Sequence, residues 1–145
     1  MLREKLRNRK GFTLIEIIVV IVILAVLMAV AVPSVMSYLN EGDNARYEAQ
    51  ARAVYIRVQT EYAKAYANDN FDPKATDAKL IIAKSKFDDV DVKDIKYSIT
   101  NHNVDAISAT ITIGTSDKVV KVEANKKVTV DAAELANGYD VTIDG

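Results

Sequence analysis

The sequence predicts an α+β fold in which a long N-terminal α-helix, half transmembrane and half amphipathic, packs on an antiparallel β-sheet of about four strands. Three observations lead to this prediction. Every residue from 17 to 32 is apolar. Beyond Pro33 the apolar side chains keep a helical spacing to about residue 67. From residue 95 onward, apolar residues alternate with polar ones, as they do in strands.

The apolar segment runs from near Phe12 to Pro33 and so has about the 20 residues that span a hydrocarbon core. Five basic residues precede it: Arg3, Lys5, Arg7, Arg9 and Lys10. With Glu4 they give the first eleven residues a net charge of +4, which leaves −5 for the rest of the chain. The positive-inside rule therefore predicts a cytoplasmic N-terminus, with the residues after Pro33 on the far side of the membrane.

Glu16 is an acid inside this apolar run. A carboxylate near mid-bilayer costs on the order of 3 kcal/mol and usually faces a partner. Two explanations need no partner, because Glu16 is close enough to the helix start to reach the interface and the helix dipole favours an acid there. A third explanation requires cleavage after Gly11, which creates an ammonium group on Phe12, four residues away on the same helix face. Glu16 of one helix could then neutralise the Phe12 amine of a neighbour and fix their register.

The stretch KGFTLIE at residues 10–16, followed by a long aliphatic helix interrupted at Pro33, resembles the class III signal of type IV prepilins and pseudopilins. The resemblance is specific over residues 9–33. It implies that a prepilin peptidase in the membrane cleaves after Gly11 and that the new amino group of Phe12 is methylated. It also implies that Phe12, Glu16 and Pro33 act in assembly, in helical filaments whose apolar segments bundle along the axis.

Periodicity and resemblance together predict four segments. Residues 1–11 form a basic leader that is removed, and residues 12–33 form the transmembrane and assembly helix. Residues 34–68 form an amphipathic helix that continues into the soluble part, and residues 69–145 contain a loop, a short helix and the sheet. The chain has no cysteine. The C-terminal loop, which many family members close with a disulfide, must therefore be held by packing and hydrogen bonds.

The function that the resemblance implies is that of a type IV pilus subunit of the major-pilin kind, polymerised into a surface filament for adhesion, twitching motility or biofilm formation. The precursor would cross the bacterial cytoplasmic membrane once, with its C-terminus outside, before joining the extracellular pilus. Its partners would be other copies of itself, the prepilin peptidase, the membrane assembly machinery and membrane lipid. One alternative is a pseudopilin or minor pilin of a type II secretion or DNA-uptake system. Another is an unprocessed, signal-anchored ligand-binding domain, against which Glu16 weighs because a simple anchor gains nothing from an acid.

The soluble part shows a helical stripe and then strand-like runs. Four tyrosines of the stripe fall within about 100° on the helical wheel, and we expect them to pack against the sheet or against neighbouring subunits. A short helix is predicted over roughly 76–85. The strand-like runs include residues 95–99, 107–113, 120–122, 128–130 and 139–143. Three closely spaced runs predict an antiparallel meander, and the amphipathic helix is the expected cover for its apolar face. The tyrosines are Tyr47, Tyr55, Tyr62 and Tyr66.

Few residues suggest catalysis or metal binding. His102 is the single histidine and stands in TNHN, which reads as a solvated turn, so we expect neither an enzyme nor a cofactor. Asp88, Asp89 and Asp91 offer oxygen ligands that suit Ca²⁺, but interleaved lysines and the missing EF-hand glycine favour a solvated acidic loop. The net negative charge of the residues beyond the leader argues against a nucleic-acid partner.

Overall fold

The computed structural model describes residues 11–75 and 79–145. Helix α1 spans Leu14–Asp69 and contains Pro33. Six strands follow, with a short 3-10 helix at Lys84–Phe87. The α+β prediction is confirmed, although the sheet has six strands where about four were predicted. The strands are β1 Leu80–Ala83, β2 Val92–Thr100, β3 Asn103–Ile113, β4 Ser116–Glu123, β5 Val128–Val130 and β6 Tyr139–Asp144.

The chain divides into two compact units between Glu41 and Gly42, and α1 contributes to both. In the N-terminal unit the described residues are helical from Leu14 onward, and their side chains are exposed. This part of α1 is long and apolar enough, by length and composition, to cross a membrane. Because Pro33 has no N–H to donate, the carbonyl of Ala29 lacks its usual helical partner, yet the helix continues through the proline.

In the C-terminal unit the strand order is β1-β6-β2-β3-β4-β5. Strands β2 to β5 form the antiparallel meander that the alternation predicted. Strand β6 returns to pair antiparallel with β2, and β1 pairs with β6 in parallel, with Leu80 opposite Val141. The last strand of the chain is therefore inserted between β1 and β2.

The prediction of a short helix at 76–85 is wrong, because most of its described part is a strand. Residues 76–78 lie outside the described residues, and Leu80–Ala83 forms strand β1. Leu80 and Ile82 are buried while Ile81 is 61% exposed, which is the period of a strand. A run of three bulky apolar residues does not itself distinguish a helix from a strand, and pairing with β6 decides the outcome here.

The core of the C-terminal unit lies between one face of α1 and one face of the sheet. Its best-buried tyrosines confirm the predicted packing against the sheet. The Tyr47 hydroxyl donates to the carbonyl of Ser116 at 2.8 Å, and the Tyr55 hydroxyl donates to the carbonyl of Val104 at 3.1 Å. The core side chains of α1 are Tyr47, Ala51, Val54, Tyr55, Val58 and Tyr62.

Strand β3 is buried on both faces from residue 106 to residue 111. Residues 131–138, named here the crossover strap, connect β5 at one edge with β6 beyond β2 and contact the second face of β3 at Ser108. The Leu135 N–H donates to Ser108 Oγ at 3.1 Å, and Lys96 Nζ lies 3.0 Å from the Glu134 carboxylate. Hydrogen bonds and an ion pair thus hold this loop in a chain without disulfides.

Candidate functional site

The N-terminus of α1 is built on a reciprocal pair of hydrogen bonds. The Thr13 N–H donates to Glu16 Oε2 at 3.0 Å, and the Glu16 N–H donates to Thr13 Oγ1 at 3.3 Å. This is a capping box, which satisfies two backbone N–H groups that have no partner within the helix. The T-x-x-E signature stands in the sequence at residues 13–16, so this local role of Glu16 was available from the sequence but was not predicted.

The cap supports the view that Glu16 is placed at a helix start, where the dipole favours an acid. It does not account for the residues just before it. Phe12 is 84% exposed, and adding a Cβ to Gly11 would bring it within 4 Å of no other described atom. The described part of the fold therefore places no steric demand for glycine at residue 11.

The structure brings Gly11, Phe12 and Glu16 together at the exposed end of α1. Pro33, the third predicted assembly residue, lies well inside the helix. Cleavage after Gly11 would leave Phe12 as the first residue, directly before the capping box. The Gly11–Phe12 peptide bond thus lies directly before a helix start that already holds a carboxylate.

Asp89, one of the three candidate calcium ligands, is engaged by a cation of α1. Arg57 Nη2 lies 2.5 Å from Asp89 Oδ1, and the Arg57 guanidinium lies 6.0 Å from the Phe87 ring centre. The hydrogen bond from Arg57 lowers the pKa of the Asp89 carboxyl. Within residues 11–75 and 79–145, no group of three or more His, Cys, Asp or Glu side chains is placed to hold a metal ion. Asp88, Asp89 and Asp91 remain a predicted solvated loop whose calcium affinity can be measured.

We expect calcium to leave the thermal unfolding midpoint of the full chain unchanged, compared with excess EDTA. A cation present at a hundred times its dissociation constant would add about 2.7 kcal/mol, which is several degrees for a domain of this size. Calorimetry of the detergent-solubilised protein measures the midpoint, and Asp91→Asn is the matched variant. A calcium-dependent rise that Asp91→Asn removes would establish the site and contradict the solvated-loop prediction.

His102 occupies a two-residue hairpin turn between β2 and β3, as the TNHN sequence predicted. Asn101 has φ 51° and His102 has φ 61°, and two consecutive positive φ angles are those of a type I′ turn. The His102 ring stacks on Tyr66 of α1, with ring centres 4.7 Å apart. The imidazole is therefore part of an aromatic contact on the surface of the C-terminal unit.

Comparison with known proteins gives a match in the N-terminal segment of the chain. Residues 6–32 match the family model described as the prokaryotic N-terminal methylation motif. No curated protein and no solved structure matches the chain. Such a class III signal implies processing by a prepilin peptidase and contact with membrane assembly machinery, and the apolar helix is consistent with membrane anchoring. The motif at residues 6–32, leading into a helix long enough to cross a membrane, thus supports the assignment of this chain as a type IV pilin-like protein, a class that includes pilins and pseudopilins.

Proposed function

We propose that this chain is the structural subunit of a type IV pilus, a major pilin that polymerises through its N-terminal apolar helix. The observation that carries the proposal is the carboxylate of Glu16, four residues after Phe12, in an otherwise apolar segment of the helix. In the proposal, a prepilin peptidase cleaves this bond and the Phe12 amine is methylated. The subunit then leaves the cytoplasmic membrane for an extracellular filament.

Exposed apolar surface supports assembly. Large apolar side chains of the helix from Leu14 to Leu39 are all more than 40% exposed, and such a surface needs lipid or other helices to cover it. Before assembly, lipid covers these side chains. In the filament, equivalent helices from neighbouring copies replace the lipid, so the same surface serves both states.

The pairing of the Glu16 carboxylate with a positive charge supports cleavage before assembly. In the uncleaved chain the Thr13 N–H donates to Glu16, and the helix N-terminus offers about half a positive charge. Cleavage supplies a full ammonium group on Phe12. A bundle of apolar helices has a low dielectric, so an amine and a carboxylate from adjoining copies stabilise each other only when both are in register.

The proposal gives the C-terminal unit a structural and adhesive role, with adhesion, twitching motility or biofilm formation as the task of the filament. We propose no enzymatic activity.

Intact-mass measurement of the native membrane-bound protein tests the processing step. We expect a polypeptide that begins at Phe12 and carries one added methyl group. A protein that still begins at Met1 would contradict the proposal and favour an unprocessed anchored domain.

Electron microscopy of cells then separates the two processed alternatives. Loss of surface filaments on gene deletion supports a major pilin, while filaments that persist favour a pseudopilin or minor pilin.

A further inference from the structure

An aromatic surface lies where the C-terminal end of α1 meets the turn between β2 and β3. Tyr66 and His102 stack there with ring planes 30° apart, and Tyr62 packs edge to face against Phe71 with ring centres 6.1 Å apart. Two open hollows of about 520 and 560 Å³ flank the stack, and Tyr62 and His102 line both. We call this region the aromatic end site.

Side-chain amides surround the rings of the aromatic end site. Each carboxamide offers two N–H donors and one acceptor oxygen, so it can pair with a hydroxyl in either direction. The Asn103 amide already donates to the Asn101 carbonyl at 3.2 Å, and the other amides make no such contact among the described residues. Aromatic faces beside several amides fit a ligand that has an apolar C–H face and hydroxyl groups around its edge. Saccharides have this chemistry. The amides that line the two hollows are Gln59, Asn68, Asn70, Asn101 and Asn103.

The Tyr62 hydroxyl supplies an independent observation. Tyr62 is 1% exposed, and its hydroxyl has no hydrogen-bond partner among the described residues. Burial raises the pKa of this phenol, and the nearby Tyr66 and Asp72 raise it further, so the hydroxyl lies within the field of groups that line one hollow. A buried hydroxyl without a partner costs free energy, and a ligand hydroxyl that reached it would recover that cost.

The charges at the site favour a neutral ligand. In one hollow the Lys74 ammonium is accompanied by the Asp72 carboxylate, and in the other Lys64 is paired with Glu61 at 3.0 Å. No excess positive charge is therefore concentrated there for a phosphate among the described lining residues.

We propose that the aromatic end site binds a neutral saccharide, with its C–H face on the Tyr66–His102 stack and its hydroxyls on the surrounding amides. The site lies within a single chain. The proposal therefore does not depend on filament formation, and it can be tested on the full-length subunit in a detergent without a sugar headgroup.

Because His102 is the single histidine, ¹³C-histidine labelling gives one ring signal that reports on the site. The probes are the methyl glycosides of galactose, glucose and N-acetylglucosamine, all added in the same buffer. We expect at least one glycoside to shift the signal saturably, with a dissociation constant on the order of 1–10 mM, because so small a ligand has few atoms to contribute binding free energy. Saturation transfer from the protein to the sugar ring protons should accompany the shift.

Two variants locate the binding. Tyr66→Leu keeps an apolar side chain but removes the stacking face, and Asn101→Gly deletes an amide while keeping a residue that accepts positive φ. Each is expected to weaken binding at least tenfold. The matched controls, Tyr38→Leu and Asn125→Gly, remove a tyrosine and a hairpin asparagine from elsewhere and should bind as the parent does. The proposal is overturned if none of the glycosides gives a saturable shift. It is also overturned if a control variant weakens binding as much as Tyr66→Leu or Asn101→Gly does, or if uridine, a nucleoside, binds more strongly than every glycoside.

Discussion

Glu16→Val is expected to leave cleavage after Gly11 largely intact and to lower the yield of filaments at least tenfold. In the proposed filament, the Phe12 amine of each subunit meets a Glu16 carboxylate of its neighbour. The variant would leave that amine buried and unpaired, at a cost of about 3–5 kcal/mol for each subunit. Immunoblots of sheared surface fractions measure the yield, and intact mass of the membrane fraction measures processing.

Thr13→Val is the matched control because it removes the hydroxyl that caps the Glu16 N–H but keeps the carboxylate. Loss of a capping hydroxyl costs about 1 kcal/mol of helix stability. We therefore expect processing and filament yield close to those of the parent. If Thr13→Val reduces assembly as severely as Glu16→Val does, the cap at the start of α1 explains the requirement for Glu16, and the charge pair between subunits is wrong.

The comparison of the two variants matters because Glu16 has one observed contact, within its own chain, and one proposed contact, with a neighbouring subunit. Its contact with Thr13 spans three residues and follows from a local signature. Its proposed contact with Phe12 joins separate chains, and the sequence reveals it only through the anomaly of an acid in an apolar run. Sequence reasoning found the anomaly and did not predict the local cap, because the class III signal and the capping box share the same residues.

The helix and the meander could be predicted because their signals are local. Alternating apolar residues in β2, β3 and β4 put one face of the sheet against the stripe of α1, and the structure follows that pattern. Strand β1 could not be predicted in this way. Its four residues are all apolar, so the sequence shows no alternation there, and its parallel partner, β6, lies some sixty residues later in the chain.

The crossover strap was not predicted for a related reason. Ser108 and Thr110 alternate with apolar residues, which suggests a solvated outer face, yet both are buried. The strap reaches Ser108 because the chain must pass from β5 to β6 on the far side of β2, and this follows from the strand order rather than from any local pattern. The aromatic end site also depends on the tertiary fold and not on a local pattern, since Tyr66 of α1 meets His102 only after the sheet has formed.

Ile107→Ala is expected to lower the free energy of unfolding of the C-terminal unit by about 3 kcal/mol. Ile107 is 0% exposed in the central strand β3, and its face of the sheet packs in the core that includes α1. Truncation of a fully buried isoleucine removes its transfer free energy and leaves a cavity, at a typical total cost of about 2–5 kcal/mol. Urea unfolding of the detergent-solubilised full chain, followed by tyrosine fluorescence, measures the change because Tyr62 and Tyr97 lie in the same core.

Ile81→Ala removes the same atoms from the edge strand β1, where the side chain is 61% exposed, and is expected to cost under about 0.5 kcal/mol. The two truncations differ in burial and not in chemistry, so their difference measures how strongly the central strand is packed. Equal costs would mean that Ile107 is not enclosed in solution. The packing of α1 against β3 would then be wrong, and with it the position of Tyr66 beside His102.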